Sequence, residues 1–344
     1  MHRKGSTSLL FSCLFLSALS SQHAHANPMR NDPPATPALA TPEIFAPGVI
    51  SGPANDGAPT FAPDGNTLFF TRSTANWGVI LESHKTNGQW SEPVLTPFSG
   101  EWPDSSPAMS PDGTFVVFQS TRPAMPLTVR PKEDEPIPGV VSNLWRVDRV
   151  GSGWSKPVRL PDAVNIGHSI WKPSIAANSN LYFTVIDAKG GKRLFSSKYE
   201  NGAYQPAQPL PFSDGTTADV DPEIAPDESF LVFSSSGRLS GDSKDHLHIV
   251  ARQGAGWGPV VPIRYAGDDK YGYSTDDEPR FDQNHRFVYF SSDRAVPVHF
   301  PRTPEQARQD IDRLERWDNS NANVWYLPLE PYLNAARNAA KGAS

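Results

Sequence analysis

The sequence predicts an all-β fold: a β-propeller of four-stranded antiparallel blades, five in number with six as the alternative, closed by pairing of its N- and C-terminal segments. Three observations predict it. A motif of about twelve residues recurs five times along the chain. Short runs rich in β-branched and aromatic residues follow each copy, separated by turn residues. Proline contributes 35 of 344 residues, about twice ordinary usage, and breaks long helices and central strands alike.

The motif starts at a Pro and ends at a Phe. It runs Pro59 to Phe70 (PTFAPDGNTLFF), Pro107 to Phe118 (PAMSPDGTFVVF), Pro222 to Phe233 (PEIAPDESFLVF) and Pro279 to Phe290 (PRFDQNHRFVYF). The third copy, Pro173 to Phe183 (PSIAANSNLYF), is one residue shorter. Each copy reads as a β-hairpin. Pro63-Asp64-Gly65 and Pro111-Asp112-Gly113 suit a turn in which Pro fixes φ and Gly accepts a left-handed conformation. Asn284 is expected to replace that Gly in the fifth copy. The second strand of each hairpin, such as Phe115-Val116-Val117-Phe118, is nearly continuous in apolar character, as a strand buried on both faces is.

A second hairpin follows each first one. Its third-strand runs include Leu144-Trp145-Arg146-Val147 and Val324-Trp325-Tyr326-Leu327, and a Gly-containing turn then leads to an aromatic residue and a short outer strand. Four antiparallel strands per repeat, stacked radially, make a propeller. The fifth repeat stops after its third strand, and Phe45 to Ile50 resembles the outer strand that is missing. Residues 45–50 are therefore expected to complete the last blade, with the propeller spanning residues 43–330.

Segments outside the repeats are read separately. Arg3 and Lys4, the apolar residues 9–19 and the small-x-small Ala24-His25-Ala26 form the pattern of a cleaved secretory signal over residues 1–26. Residues 27–42 read as a Pro-rich leader. Cleavage would remove Cys13, the one cysteine, and move the net charge from −6 to −8. No basic footprint remains for nucleic acid, and no further apolar run approaches a membrane span. The expected product is periplasmic or secreted, and monomeric. Residues 123–142 form a Pro- and charge-rich loop within blade two. Residues 303–317 predict a helix with Thr303 as N-cap and Pro304 at its first position. The alanine-rich residues 331–344 predict a second one.

Two stretches carry a family resemblance. One runs from Asp104 to Arg122, opening on Asp104-Ser105-Ser106-Pro107 and continuing AMSPDGTFVVFQSTR; the other is DDEPRFDQNHRFVYFSSDR, from Asp276 to Arg294. Both resemble the WD40-like Pro-Asp-Gly repeats of TolB-like β-propellers. Asp56, Asp104, Asp219 and Asp276 match the leading acidic position, which is Ile170 in the third copy. Arg122, Arg238 and Arg294 match the trailing Arg. The resemblance implies an exported binding platform, among relatives that cap peptidases or act as lyases.

The loops entering the first strand of every blade should gather at one channel mouth. They supply Asp221, Asp277 and Glu278 among many acids, with Trp102, His168, Trp171, Tyr271 and Tyr273 interleaved. Crowded acids raise one another's pKa or recruit a divalent cation, and aromatic faces suit sugars and apolar side chains. Candidate ligand contacts are Trp102, His168, Trp171, Lys172, Tyr271 and Tyr273, which do not recur, together with Glu223, Arg280 and the repeated Asp104, Asp219 and Asp276, whose recurrence also suits a scaffold role. The His246 and His248 pair reads as exposed. Just inside the mouth, Glu223 and Arg280 hold equivalent positions in adjacent blades with opposite charge, and an ion pair between them is expected. No catalytic motif is present. The first reading is a platform for an envelope protein, peptide or glycan, with no cofactor; the alternative is a lyase or hydrolase acting on a polysaccharide or small substrate, with a divalent metal as an optional aid.

Overall fold

A computed structural model describes residues 39–124, 141–239, 243–266 and 274–342. The secretory-signal segment, most of the leader, most of the 123–142 loop, and Tyr271 and Tyr273 lie outside the described residues. Twenty strands build five blades. Strand β1 (Glu43–Ile44) stands alone at the start of the chain. Blade one is β2 (Asn55–Phe61), β3 (Thr67–Ser73), β4 (Gly78–Thr86) and β5 (Val94–Leu95). Blade two is β6 (Asp104–Met109), β7 (Phe115–Ser120), β8 (Asn143–Val150) and β9 (Val158–Arg159). Blade three is β10 (Ser169–Ile175), β11 (Leu181–Ile186), β12 (Lys192–Ser197) and β13 (Gln208–Pro209). Blade four is β14 (Ala218–Ile224), β15 (Phe230–Ser236), β16 (His246–Gln253) and β17 (Val261–Pro262). Blade five is β18 (Asp276–Phe281), β19 (Phe287–Ser292) and β20 (Asn323–Pro328), with β1 as its outer strand.

Each blade is antiparallel in sequence order, and the first strands of consecutive blades meet around a central axis, β18 against β2 included. One apolar cluster fills each gap between blades. Phe69 and Phe118 sit between blades one and two, Val117 and Phe183 between two and three, and Leu194 and Phe233 between three and four. Val232 and Phe290 fill the fourth gap, and Phe70 and Val324 the fifth. That is why the second strands are apolar along their whole length: each faces a neighbouring blade on both sides.

The ring closes two residues earlier than the sequence suggests. Glu43 and Ile44 pair with Tyr326 and Trp325, and Phe45 N–H donates to the Val324 carbonyl at 2.8 Å. Residues 45–50 are not the closing strand. Ala46 and Gly48 hold φ of +42° and +81°, and the N–H groups of Val49, Ile50 and Ser51 turn back onto the Ala46 carbonyl. Pro47 has no N–H to give a ladder, so the strand ends before it.

A second correction concerns the hairpin turns. The left-handed position is Gly65 and Gly113 in blades one and two, and Ser179, Glu228 and His285 in the others. In the fifth copy His285, not Asn284, takes it at φ +52°, because His285 lies the same six residues after the repeat Pro as Gly65 does.

Helix α1 (Pro304–Arg313) lies between β19 and β20, with the Thr303–Gln306 capping box formed in both directions. Helix α2 (Glu330–Gly342) buries Tyr332, Leu333, Ala336 and Ala340 against the core between blades four and five. No helix among the described residues is long and apolar enough to cross a membrane.

Candidate functional site

The repeated acids are scaffold, and their partners are arginines. Arg72 meets Asp56 at 2.6 Å, Arg122 meets Asp104 at 2.9 Å, Arg238 meets Asp219 at 2.6 Å and Arg294 meets Asp276 at 2.8 Å. All four carboxylates are buried. Burial raises the Asp56 and Asp104 carboxyls from their ordinary value, and the opposing pull comes from Arg72 on Asp56 and from Ser120 and then Arg122 on Asp104. Three of the guanidiniums also donate to the chain arriving from the preceding outer strand, at the carbonyls of Ile50, Phe98 and Phe212. Each pair thereby clips a blade entrance to its second strand. Blade three, with Ile170 packed beside Val185, has apolar contact in its place. Asp104, Asp219 and Asp276, candidate contacts from sequence, are each paired with an arginine, and Arg72 was missed in the sequence because it falls two residues after Phe70, off the Phe-x-Ser-x-Arg spacing.

The first strand of every blade carries a bulge ahead of the repeat Pro. The residue before each Pro sits at positive φ: Ala58 (46°), Ser106 (51°), Lys172 (45°), Asp221 (56°) and Glu278 (52°). A non-glycine residue held there costs on the order of 1–2 kcal/mol, so the surrounding bonds must impose it. In four blades a side chain from the preceding blade's second strand accepts the bulge N–H. The pairs are Ser106 to Thr71 Oγ1 (2.8 Å), Lys172 to Gln119 Oε1 (3.4 Å), Asp221 to Thr184 Oγ1 (2.8 Å) and Ala58 to Ser291 Oγ (3.1 Å). Blade five breaks the rule. Ser234 holds the equivalent register, opposite Val220, yet its hydroxyl has no partner among the described residues. Glu278 N–H donates to Asp221 Oδ2 at 3.2 Å instead.

The five bulge positions form one ring, reading Ala, Ser, Lys, Asp and Glu. The ring chemistry is asymmetric, and the cavity of about 580 Å³ above it leans toward blades one and two. Ser106, Lys172, Asp221 and Glu278 belong to its floor, and Trp77, Trp171, Asn76, Gln119 and Asp277 to its wall. Glu278 is held by Ser106 Oγ at 3.2 Å and Ser291 Oγ at 2.6 Å, each donating to it. Asp277 makes no hydrogen bond or ion pair among the described residues and lies open to the cavity.

Beneath the ring the channel is shut. Lys172 Nζ donates to the Pro279 carbonyl at 3.0 Å. Arg280 pairs with Glu223 at 2.6 Å, as expected, and its other amine spans the axis to the carbonyls of Pro173 (2.7 Å) and Pro107 (3.1 Å). Burial, and then Arg280 alongside, bring the Lys172 ammonium down to about 7 against the pull of Asp221, Glu278 and Glu223. Burial pushes Asp221 up to about 6, where Lys172 lowers it and Glu278 raises it. Burial, then the like charges of Glu278, Asp221, Asp245 and Asp276, raise Asp277 well above the carboxylate range.

Of the candidate contacts singled out from sequence, Trp171, Lys172 and the arginine-paired Asp104 border the cavity, while Glu223 and Arg280 form the plug below it. His168 is exposed and Trp102 half-buried, and neither lines the cavity. The His246 and His248 reading is corrected. His248 is buried, stacked on Phe233 at 5.7 Å, because it holds the third-strand position that is Trp145 in blade two and Trp325 in blade five. Sequence reasoning passed over Trp77 and Gln119, which stand on or beside second and third strands rather than in the entrance loops. Among the described residues, no three His, Cys, Asp or Glu side chains are grouped to hold a metal ion.

No protein-family model matches the sequence, and no curated protein matches it. Among solved structures, similar ones include a protein described as TolB from Agrobacterium tumefaciens (16% identity, TM-score 0.46, 70% of each chain). TolB from Acinetobacter baumannii is similar at 14% identity and TM-score 0.43, over 80% of this chain and 54% of that one, so this chain spans about half its length. An α-L-arabinofuranosidase from Podospora anserina, solved with cellotriose, is similar at 9% identity and TM-score 0.48, over 85% and 96% of the two chains. The assignment of a five-bladed propeller rests on this chain's own strand pairing.

Proposed function

We propose that the protein is an exported binding platform whose channel mouth takes a glycan. The composition of the cavity wall carries this reading. None of the residues lining it is Leu, Ile, Val, Met or Phe, although ligand pockets are ordinarily lined mostly by such side chains. Its large apolar surfaces are the rings of Trp77 and Trp171, set among Ser, Thr, Asn and Gln. Aromatic faces stack on the C–H faces of sugar rings while amides and hydroxyls match their hydroxyl groups. A peptide with apolar anchors would find no aliphatic pocket there. The site is also preformed: its floor is fixed by its own hydrogen bonds, and the channel behind it is closed by Arg280. A glycan array probed with the purified protein, then with Trp171→Ala, tests the reading. Retained glycans whose signal falls with the substitution support it; an array with no retained glycan, or signals indifferent to Trp171, would sink it.

One observation favours a second reading, a glycan lyase or hydrolase. Asp221, pushed up to about 6 by burial, and Asp277, raised well above its ordinary value by burial and then by like charges, border one cavity, and carboxyls with raised pKa are suited to general acid–base work. Product analysis of any retained glycan after prolonged incubation separates the readings, since a platform leaves its ligand intact.

A further inference from the structure

We infer that the glycan bound at the mouth carries a free amine, protonated when bound, and that Asp277 is its counter-ion. This inference rests on the glycan reading of the cavity and deepens it.

The first observation is the charge balance of the cavity. Three carboxylates border it without an arginine clip, namely Asp221, Glu278 and Asp277, against one cation, Lys172. Lys172 is consumed within the structure, since its ammonium donates downward to the Pro279 carbonyl. Glu278 is satisfied by two serine hydroxyls, and Asp221 accepts the Glu278 N–H. Asp277 alone among the three makes no bond to the described protein, and it stands on the wall rather than in the floor.

The second observation is what occupies that wall position elsewhere. The residue equivalent to Asp277 is Gly57, Ser105, Trp171 and Val220 in the other four blades, all uncharged. Propeller geometry therefore does not call for an acid at this position. The four structural aspartates sit one residue earlier, each with its arginine. Asp277 is an added carboxylate directly after the structural Asp276, brought beside Glu278 and Asp221 with no cation to balance it among the described residues. A partly buried like-charge arrangement of that kind is costly unless a cation arrives, and an ammonium would have the carboxylate as partner in a partly desolvated site.

The third observation selects the body that carries the amine. The cavity wall is built of amides, hydroxyls and two indoles, with no aliphatic slot for the long methylene stem of a lysine side chain. A hexosamine fits these surfaces: its ring C–H face meets an indole, its hydroxyls meet the amides, and its ammonium meets Asp277.

Calorimetric titration of the full chain near neutral pH, at low salt, tests this with trisaccharides that differ at one substituent. Cellotriose carries a hydroxyl at carbon 2, its N-acetylated amino counterpart a neutral amide, and the glucosamine trimer an ammonium. The glucosamine trimer should bind about tenfold or more tighter than either neutral sugar, the preference expected for one partly buried ion pair. Asp277→Asn should erase that preference, so that the variant binds the glucosamine trimer no tighter than the neutral sugars, while Trp171→Ala should weaken all three. Circular dichroism of Asp277→Asn checks that the fold is retained. Equal binding of charged and neutral trimers would overturn the inference and leave the glycan reading standing. Failure of all three, with no glycan retained on the array, would remove both. Trilysine binding tighter than the glucosamine trimer, or calcium chloride alone giving a saturable heat that Asp277→Asn abolishes, would each overturn it in favour of a peptide or a metal ion.

Discussion

Arg280 of blade five joins Glu223 of blade four at 2.6 Å, and the same guanidinium reaches across the axis to blades two and three. Four of the five first strands thus meet at one side chain that is almost wholly buried. Glu223 adds to the tie, accepting from Ser174 Oγ at 2.8 Å and from the Phe281 N–H at 3.3 Å. Removing one member of a buried pair leaves the other uncompensated. Arg280→Met is expected to cost about 3–5 kcal/mol. With Glu223→Gln added, the double variant should lose at least about 1 kcal/mol less than the sum of the singles. Denaturant unfolding of all four proteins measures this coupling, and additive losses would show that the two charges act independently.

Ring closure depends on a segment too short to hold by its ladder alone. Two residues pair with β20, so the side chain of Phe45 must anchor the strand. Its ring lies 5.1 Å from Tyr289, 5.9 Å from Trp90 and 6.0 Å from Phe61, joining the first and last blades. Phe45→Ala should destabilise the whole propeller by about 2–3 kcal/mol, because blades one and five lose their shared contact together. A melting temperature equal to that of the unaltered protein would show that closure is carried elsewhere.

The Asp–Arg clips make a different prediction from the site acids. Blade three folds with Ile170 where the other blades have a buried aspartate, so apolar contact substitutes for an ion pair within this architecture. Asp104→Ala leaves Arg122 stranded beneath Trp145 and Phe118 and should cost about 3–5 kcal/mol. Asp104→Ile combined with Arg122→Met should recover most of that loss. A double variant no more stable than Asp104→Ala would mean that the clip is required for more than charge balance.

The architecture was readable because it repeats. A Pro, a turn and an apolar strand recurring five times leave few arrangements that bury both faces of each second strand, and the Glu223–Arg280 pair followed from superposing the copies. The site was readable only where a blade departs from its siblings. Trp171 and Lys172 stood out because the third copy had lost its aspartate. Asp277 did not, since in DDEPRF it adjoins a repeated Asp and reads as part of one acidic run; only the bulge register shows that Asp276 turns inward to Arg294 while Asp277 faces the cavity. Trp77 and Gln119 reach the mouth from strand ends whose convergence depends on blade twist, which no local pattern encodes.

Asp277 has a stability signature of its own. Burial and neighbouring carboxylates hold its folded-state pKa well above the ordinary 3.8. Over the window from 3.8 up to that raised value the native protein binds more protons than the unfolded chain, so stability falls as pH rises through it. Asp277→Asn removes the ionisation. The variant should match the unaltered protein at the acid end of the window and become more stable than it toward neutral pH. Melting temperatures across the acid-to-neutral range measure the divergence. A gain in stability together with loss of amine preference is the pattern of a residue kept for binding, and a variant less stable at neutral pH would assign Asp277 a structural bond.

His248 titrates in the opposite sense. Its ring is buried against Phe233, Nδ1 donates to the His246 carbonyl at 2.9 Å, and Nε2 has no partner among the described residues. Burial is the main cause that lowers its pKa to about 4 from an ordinary 6.5. Between those values the unfolded chain binds a proton that the native protein refuses, so stability falls as pH drops from about 6.5 toward 4. The loss from this one residue is on the order of 3 kcal/mol at most. His248→Trp places at this position the side chain that blades two and five already carry, opposite Phe118 and Phe290. The indole does not titrate, so the variant's melting temperature should decline less over that window than the unaltered protein's. Equal slopes for the two proteins would show that His248 takes up its proton without opening the fold.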